Sequence, residues 1–413
     1  MYKNLNKRIK VDNIIFLSND INIRAGGPSG YIANLEKSFD VIGDVNNVVI
    51  IHGFEISSKS HFLNIKKEIL KVLTFWLPYK KTRRDAREWL SSKLFREKDK
   101  YFFLKKELDK YNFLSITCHL VNDALFIREY LNKRKLNAKL ILMSHSPQPP
   151  SQEFYDELVM AKDAQAKVKY QEFAKKEKEC FTKVPDIFLF PSKESIEPYL
   201  SSLPYFKDIL EHKVIKFLTT GCAPLNTDKN IEELRRQYHI ETPYVISYIG
   251  RHISIKGYDL LQNIAKKLLS MRQDVTFLIG GNMKSGIPPL EHKNWLELGF
   301  VNPAEVFKAS DCFILPNRQT YFDLILLEAL SMGTIVFASN TGGNKTVYQQ
   351  TNAISLYASE DDCVRQINQF LDASEGEKQQ LKDKARMAYL ENYTLDIFGR
   401  NYIELIKDII GDD

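Results

Sequence analysis

The sequence predicts an α/β protein built from two doubly wound, Rossmann-like parallel sheets that face one central cleft. Three observations carry this. Short, β-rich apolar runs alternate with longer stretches of helical period along most of the chain. The runs are continuously apolar rather than alternating, as strands covered by helices on both faces are. They also fall into two series, separated by the polar stretch CAPLNTDKNIEELRRQYHIET at 222–242. A chain of 413 residues suits two domains of ordinary size.

The first series is NIIFLSND (13–20), NNVVIIHGF (46–54), FLSITCHL (113–120), AKLILMSHS (138–146), DIFLFPS (186–192) and KVIKFLTTG (213–221). The second is YVISYIGR (244–251), VTFLIGG (275–281), WLELGFV (295–301), CFILPN (312–317), TIVFASN (334–340) and AISLY (353–357). Helical patterns such as GYDLLQNIAKKLLSM lie between most of them. The expected domains are 1–222, with a helical insertion at about 56–112, and 223–393, followed by a last helix at 394–413.

Composition excludes several classes of function. The five cysteines are scattered and odd in number, and no two have metal-ligand spacing. A reducing compartment is expected and a zinc site is not. The N-terminus has too short an apolar run for a secretion signal, and no stretch approaches the roughly 20 apolar residues that span a bilayer. A cytoplasmic location follows as an expectation. The net charge is +6, with local basic excess at 80–89 and 93–106. No nucleic-acid recognition motif accompanies it, so nucleic acid is not an expected partner. In FLNIKKEILKVLTFWLPYKKTRRDAREWL (62–90), Ile65, Ile69, Val72, Leu73 and Trp76 share a helical face bordered by Lys66, Lys67 and Lys71. Such a helix either packs on a sheet with a solvated basic face or lies on an anionic membrane surface as a peripheral contact.

In open parallel sheets, ligands bind at the carboxyl ends of the strands, and the unusual residues fall there. Arg251 leaves the end of one strand, and Lys256 follows just before Gly257 and a helix. Two cations beside a helix start suit a diphosphate; the plainer reading is a pair of solvated surface charges. Gly26 and Gly27 follow the first strand and permit a close approach to phosphate or sugar, or an ordinary tight turn. His145 lies past an apolar strand and before Pro147, where it would face a cleft and bond a substrate hydroxyl. Read alone, it is as readily a histidine satisfied in the core, and so is His119. Glu328 is the one acid in the apolar run of NRQTYFDLILLEALSMG (317–333), which reads as the start of a buried helix stopped by Gly333. A carboxylate there would accept two hydrogen bonds from vicinal hydroxyls such as those of a ribose. Buried without partners it would cost several kcal/mol, so partners are expected.

The order and spacing of these motifs resemble the retaining, nucleotide-sugar-dependent glycosyltransferases of family 4, which have the GT-B fold and belong to the group 1 glycosyl transferases. The match runs through Gly250-Arg251, Lys256-Gly257, Phe277 to Gly281, Gly299-Phe300-Val301, Ala309-Ser310-Asp311 with Pro316, Leu327-Glu328-Ala329 with Gly333, and Thr341-Gly342-Gly343. It covers about 244–350 strongly; the first half matches in layout through Gly26-Gly27, His145 and Pro191-Ser192. The resemblance implies a nucleotide-sugar-binding second domain, an acceptor-side first domain, and a last helix crossing back to the first. It implies catalysis resting on His145, Arg251 and Lys256. The donor would be held by Gly26, Gly27, Arg251, Lys256, Thr320, Phe322, Asp323, Leu324 and Glu328. Arg251 and Lys256 would hold the diphosphate, Glu328 the ribose, and His145 the sugar.

One departure stands out. The family has two glutamates with seven residues between them. The second is Glu328, but Thr320 occupies the first position, and Asp323 occupies a glycine position. The expectation is that Asp323 takes over part of the sugar contact, or caps the helix. No Asp-x-Asp occurs at a strand end, so neither a metal nor any other cofactor is expected. The expected reaction moves a hexose or N-acetylhexosamine to a glycan, lipid-linked saccharide, glycolipid or glycoprotein. The rival from another class is a catalytically silent partner subunit of the same fold, which only Thr320 favours.

Overall fold

The computed structural model describes residues 8–19, 21, 27–43, 45, 47–53, 97–281 and 287–411. Gly26 and the basic segment 62–90 lie outside the described residues, as does the expected insertion up to its helix at Glu97–Leu108.

The first sheet holds β1 (Ile9–Leu17), β2 (Val48–His52), β3 (Tyr111–Cys118), β4 (Lys139–Leu142), β5 (Ile187–Phe190) and β6 (Val214–Phe217), all parallel, in the order β2-β1-β3-β4-β5-β6. The second holds β7 (Tyr244–Ile249), β8 (Val275–Gly280), β9 (Trp295–Gly299), β10 (Cys312–Leu315), β11 (Ile335–Ser339) and β12 (Ser355–Tyr357), in the order β12-β11-β10-β7-β8-β9. In each, the order reverses beside the first strand, between β1 and β3 and between β7 and β10. Loops leaving those strands diverge there and open a crevice.

β1 starts at Ile9, four residues before the apolar run. Register with β3 pairs Asn13 with Ser115. The Asn13 amide donates to Ser115 at 2.9 Å and to Thr117 at 3.2 Å. A buried polar residue in a central strand is tolerated because its hydrogen bonds are made.

Of the helices, α1 (Gly27–Ile42), α2 (Glu97–Leu108), α3 (Val121–Arg134), α4 (Pro150–Met160), α5 (Ala166–Lys183), α6 (Glu197–Ser202) and α7 (Phe206–His212) belong to the first half. The second half carries α8 (Ile231–Gln237), α9 (Tyr258–Met271), α10 (Pro303–Ala309), α11 (Leu324–Ser331), α12 (Gly342–Thr351), α13 (Glu360–Leu371), α14 (Glu375–Asn392) and α15 (Leu395–Gly411). α15 packs on α1, β1 and β3. Its Tyr402 hydroxyl donates to Asn13 Oδ1 at 2.8 Å. The last helix therefore returns to the first sheet.

The strand ends of the two sheets face each other. Ser195 Oγ, past β5, donates to the Tyr321 carbonyl, past β10, at 2.7 Å. Thr346 on α12 bonds Ser192 at 2.7 Å and Glu194 at 2.8 Å, and Lys345 meets Glu197 at 2.9 Å. A Cβ placed on Gly30 of α1 would lie 3.3 Å from Leu324 at the start of α11. Among the described residues, no helix is long and apolar enough to cross a membrane.

Candidate functional site

β7 delivers Arg251, and a single 3-10 turn at Ser254–Lys256 delivers Lys256. Gly257 ends that turn at φ 68°, and a Cβ there would lie 1.8 Å from the Pro316 carbonyl oxygen. Only glycine permits this backbone conformation and approach together. The two loops beside the switch point are thereby pressed together, and Lys256 lies over the 316–323 segment. Its Nζ is 2.7 and 3.0 Å from the two carboxylate oxygens of Asp323. The Asn317 amide also donates to Asp323. Burial alone would raise the Asp323 pKa; the adjacent Lys256 ammonium more than reverses this and holds it below the usual carboxylate range. Asp323 stands at the N-cap of α11 but makes no capping hydrogen bond with its side chain. Its carboxylate is spent on Lys256.

Arg251 is also paired, across the cleft. Its Nη2 lies 3.3 Å from Glu153 Oε1 on α4. Ser146, past β4, donates its hydroxyl to the other Glu153 oxygen. Arg251 is 46% exposed, and so loose an ion pair contributes little and is readily given up. A third strand-end cation, Arg318, is locked in a bidentate pair with Asp259 at 2.6 Å.

Glu328 departs from expectation. It is the fifth residue of α11, and its carboxylate has no hydrogen-bond or ion-pair partner among the described residues. Burial pushes its pKa up to about 7. The cost of an isolated buried charge is relieved by holding the proton rather than by a partner. Hydroxyl donors arriving from a ligand would reverse that shift.

His145 lies at the end of β4, half-buried, with its Nε2 2.7 Å from Nδ1 of His119 at the end of β3. Tyr31 of α1 packs on it at 4.8 Å between ring centroids, and Tyr321 of the other half approaches at 6.2 Å. Burial lowers the pKa of both histidines, that of His119 to about 3. Both rings are therefore neutral at physiological pH.

Other candidates are placed differently. Thr320 is fully buried, so it presents no surface to the cleft. Gly342 explains its position: at φ 43°, a Cβ there would lie 1.9 Å from the Thr320 carbonyl oxygen, so the start of α12 clamps this loop from behind. Phe322 packs toward Tyr393 at 6.3 Å, and Leu324 packs against Gly30. Gly27 is exposed and opens α1 at φ 54°, on the helix whose Gly30 meets Leu324. Sequence reasoning missed Glu153 and the counter-ion role of Asp323. A carboxylate at a motif glycine was the available signal for the second; none existed for the first.

The fold is GT-B: two six-stranded parallel sheets, helix-covered, meeting at their strand ends. Residues 243–373 match the model of the family Glycosyl transferases group 1, which shows on the second half the likeness read from the motifs. An uncharacterized glycosyltransferase of Methanocaldococcus jannaschii is 22% identical over 209 residues, covering 47% of this chain and 54% of that protein. A lipopolysaccharide 1,2-N-acetylglucosaminetransferase of Salmonella typhimurium is 23% identical over 227 residues, covering 49% and 59%. The chain thus spans little more than half the length of these curated relatives. The structure of HepE of Anabaena in complex with UDP-glucose superposes with a TM-score of 0.63 at 12% identity, covering 96% of this chain and 99% of that one. At such identity the likeness is one of fold.

Proposed function

We propose that the protein is a retaining glycosyltransferase that moves a hexose or N-acetylhexosamine from a nucleotide-diphosphate sugar to a saccharide acceptor on a glycan, lipid carrier or glycoprotein. The carrying observation is Glu328, a half-buried carboxylate without a partner among the described residues, in the same half of the chain as two strand-end cations, Arg251 and Lys256, each met by a carboxylate. A ribose would satisfy the carboxylate and a diphosphate would take the cations. His145 stands opposite, at the strand end of the other sheet. The matched family and the two curated glycosyltransferases support the same reading.

The chain's own groups would act by placement and charge. Arg251 and Lys256 would carry the negative charge that grows on the leaving diphosphate. For Lys256 to do so, it must release Asp323, whose nearest other donor is Asn317. No side chain is assigned as a covalent nucleophile. The proposed route is front-face, with a diphosphate oxygen taking the acceptor proton.

A donor panel, reading release of free nucleoside diphosphate with mono- and oligosaccharide acceptors, tests the reaction. Turnover of one donor with net retention at the anomeric carbon is the expected outcome, and it persists in EDTA. Turnover lost in EDTA and restored by magnesium would remove the metal-independent part. No turnover with any donor would sink the reading and leave a silent partner subunit in its place.

A further inference from the structure

The contact between His119 and His145 is unaccounted for by donor binding as described. His119 is 3% exposed, and its Nε2 is buried with no hydrogen-bond partner. Its Nδ1 meets His145 Nε2 at 2.7 Å, so one of these nitrogens carries a proton and the other accepts it. Two arrangements satisfy the contact. If His145 Nε2–H donates, then His119, being neutral, carries its proton on Nε2, a buried N–H with nothing to donate to. If His119 Nδ1–H donates, the bare lone pair at Nε2 is the orphan instead. Orphaned buried N–H groups are the rarer of the two in folded proteins, and a lone pair still gains from weak C–H contacts.

We propose that His119 is a positioning residue that donates its Nδ1 proton to His145 Nε2 and so fixes His145 as the Nδ1–H tautomer, a neutral hydrogen-bond donor toward the cleft. His145 Nδ1 has no partner among the described residues, and the ring is half-buried, so this nitrogen is the one left for a ligand. Tyr31 holds the pair from one side, with ring centroids 4.8 Å from His145 and 5.6 Å from His119. Phe398 of α15 backs Tyr31 at 5.2 Å. The returning last helix therefore supports the orientation of both rings. In this state His145 cannot accept a proton at Nδ1. It donates to an oxygen, such as a hydroxyl of a transferred sugar. That the oxygen belongs to a sugar rests on the glycosyl-transfer reading; the tautomer does not.

Long-range 1H–15N correlation on 15N-histidine-labelled protein reads the protonated nitrogen directly, and the His145 signal is the one lost in His145→Gln. The expected spectrum shows His145 protonated at Nδ1 and His119 also at Nδ1, at neutral pH and without ligand. A His145 protonated at Nε2 would overturn the proposal. Two substitutions separate positioning from packing. His119→Asn keeps an N–H donor near the place of Nδ1, and His119→Leu keeps bulk without a donor. The Leu variant should give an exchanging mixture of His145 tautomers and a kcat lowered about tenfold, the size of one lost oriented hydrogen bond. Its nucleoside diphosphate affinity should be unchanged. The Asn variant should restore the single tautomer and most of kcat. A Leu variant with the wild-type tautomer and kcat would refute the positioning role. An Nδ1–H tautomer in a protein that turns over no donor would leave the proposal standing and remove the glycosyl-transfer reading.

Discussion

At the residue scale, the site is one of compensated charge. Lys256 and Arg251 each face a carboxylate in the unliganded protein, and Glu328 is held near its titration point. Arg251→Ala and Lys256→Ala should each lower turnover by about 2.7–4 kcal/mol of barrier, as loss of a donor aimed at developing charge does. Near-wild-type kinetics in both would remove the diphosphate assignment. Asp323 makes the opposite prediction. Because its carboxylate occupies Lys256 rather than open cleft, Asp323→Gly should tighten nucleoside diphosphate binding about tenfold, one charge-assisted bond fewer having to break. Calorimetry that shows equal or weaker binding would return Asp323 to the sugar contact expected from sequence.

Glu328 gives a pH test at the same scale. In the unfolded chain its proton leaves near 4.5, and in the folded protein near 7. The folded state therefore binds more protons between those values, and this residue's contribution to stability falls as pH rises through that window. Glu328→Gln imitates the protonated carboxyl and lacks the fall. Wild type and variant should have similar denaturation midpoints below pH 4.5. At pH 8 the variant should be more stable by about 3 kcal/mol. A gap that does not widen with pH would show that the carboxylate is solvated or paired. Glu177, also pushed up to about 7 by burial, is common to both proteins and cancels.

At the scale of elements, legibility followed local chemistry. The strands of the second sheet were readable because continuous apolar runs between turn residues have few other structures. The end of α11 was readable from Gly333, which takes φ 69° after Ser331. Its start was not. The apolar period cannot show that Asp323 adopts extended backbone angles as N-cap, nor that residues 316–323 form a loop held by Gly257 and Gly342. The candidate site was legible to the same extent. Arg251, Lys256 and Glu328 announced themselves by position after strands and within an apolar helix. Their partners did not, because Lys256 meets Asp323 at a separation of 67 residues and Arg251 meets Glu153 at 98. The first pairing is settled by which strands lie side by side in the second sheet, the second by how the two sheets dock. The burial of Thr320 is of the same kind. Its sequence neighbours are ordinary loop residues, and only the α12 turn behind it puts it out of reach.

At the scale of the molecule, the two halves are joined where the chain crosses twice. The outgoing crossing at 221–222 lies against the returning one at 393–398. The Cys222 N–H donates to the Tyr393 carbonyl at 3.0 Å, and the Tyr389 hydroxyl donates to the Cys222 carbonyl at 2.8 Å. Beyond them α15 is anchored in the first sheet through Tyr402, Asn13 and Thr117. The crossings therefore set the angle at which His145 faces Arg251, Lys256 and Glu328. Gly221 is the tightest point. A Cβ placed there would lie 2.7 Å from both Phe398 Cβ and the Thr394 carbonyl oxygen. Neither atom is the free end of a flexible side chain, so the two crossings must part. Gly221→Ala should cost about 1–3 kcal/mol of stability, as overpacking does. It should also lower kcat more than it changes nucleoside diphosphate affinity, because Arg251, Lys256 and Glu328 all belong to the second half and move together, whereas His145 does not. A melting curve read beside kinetics and calorimetry tests both parts. An unchanged melt would mean that the crossings yield without cost. A lowered melt with unchanged kcat would mean that the angle between the halves is set elsewhere, at the contacts of Ser195 with Tyr321 and of Thr346 with Ser192.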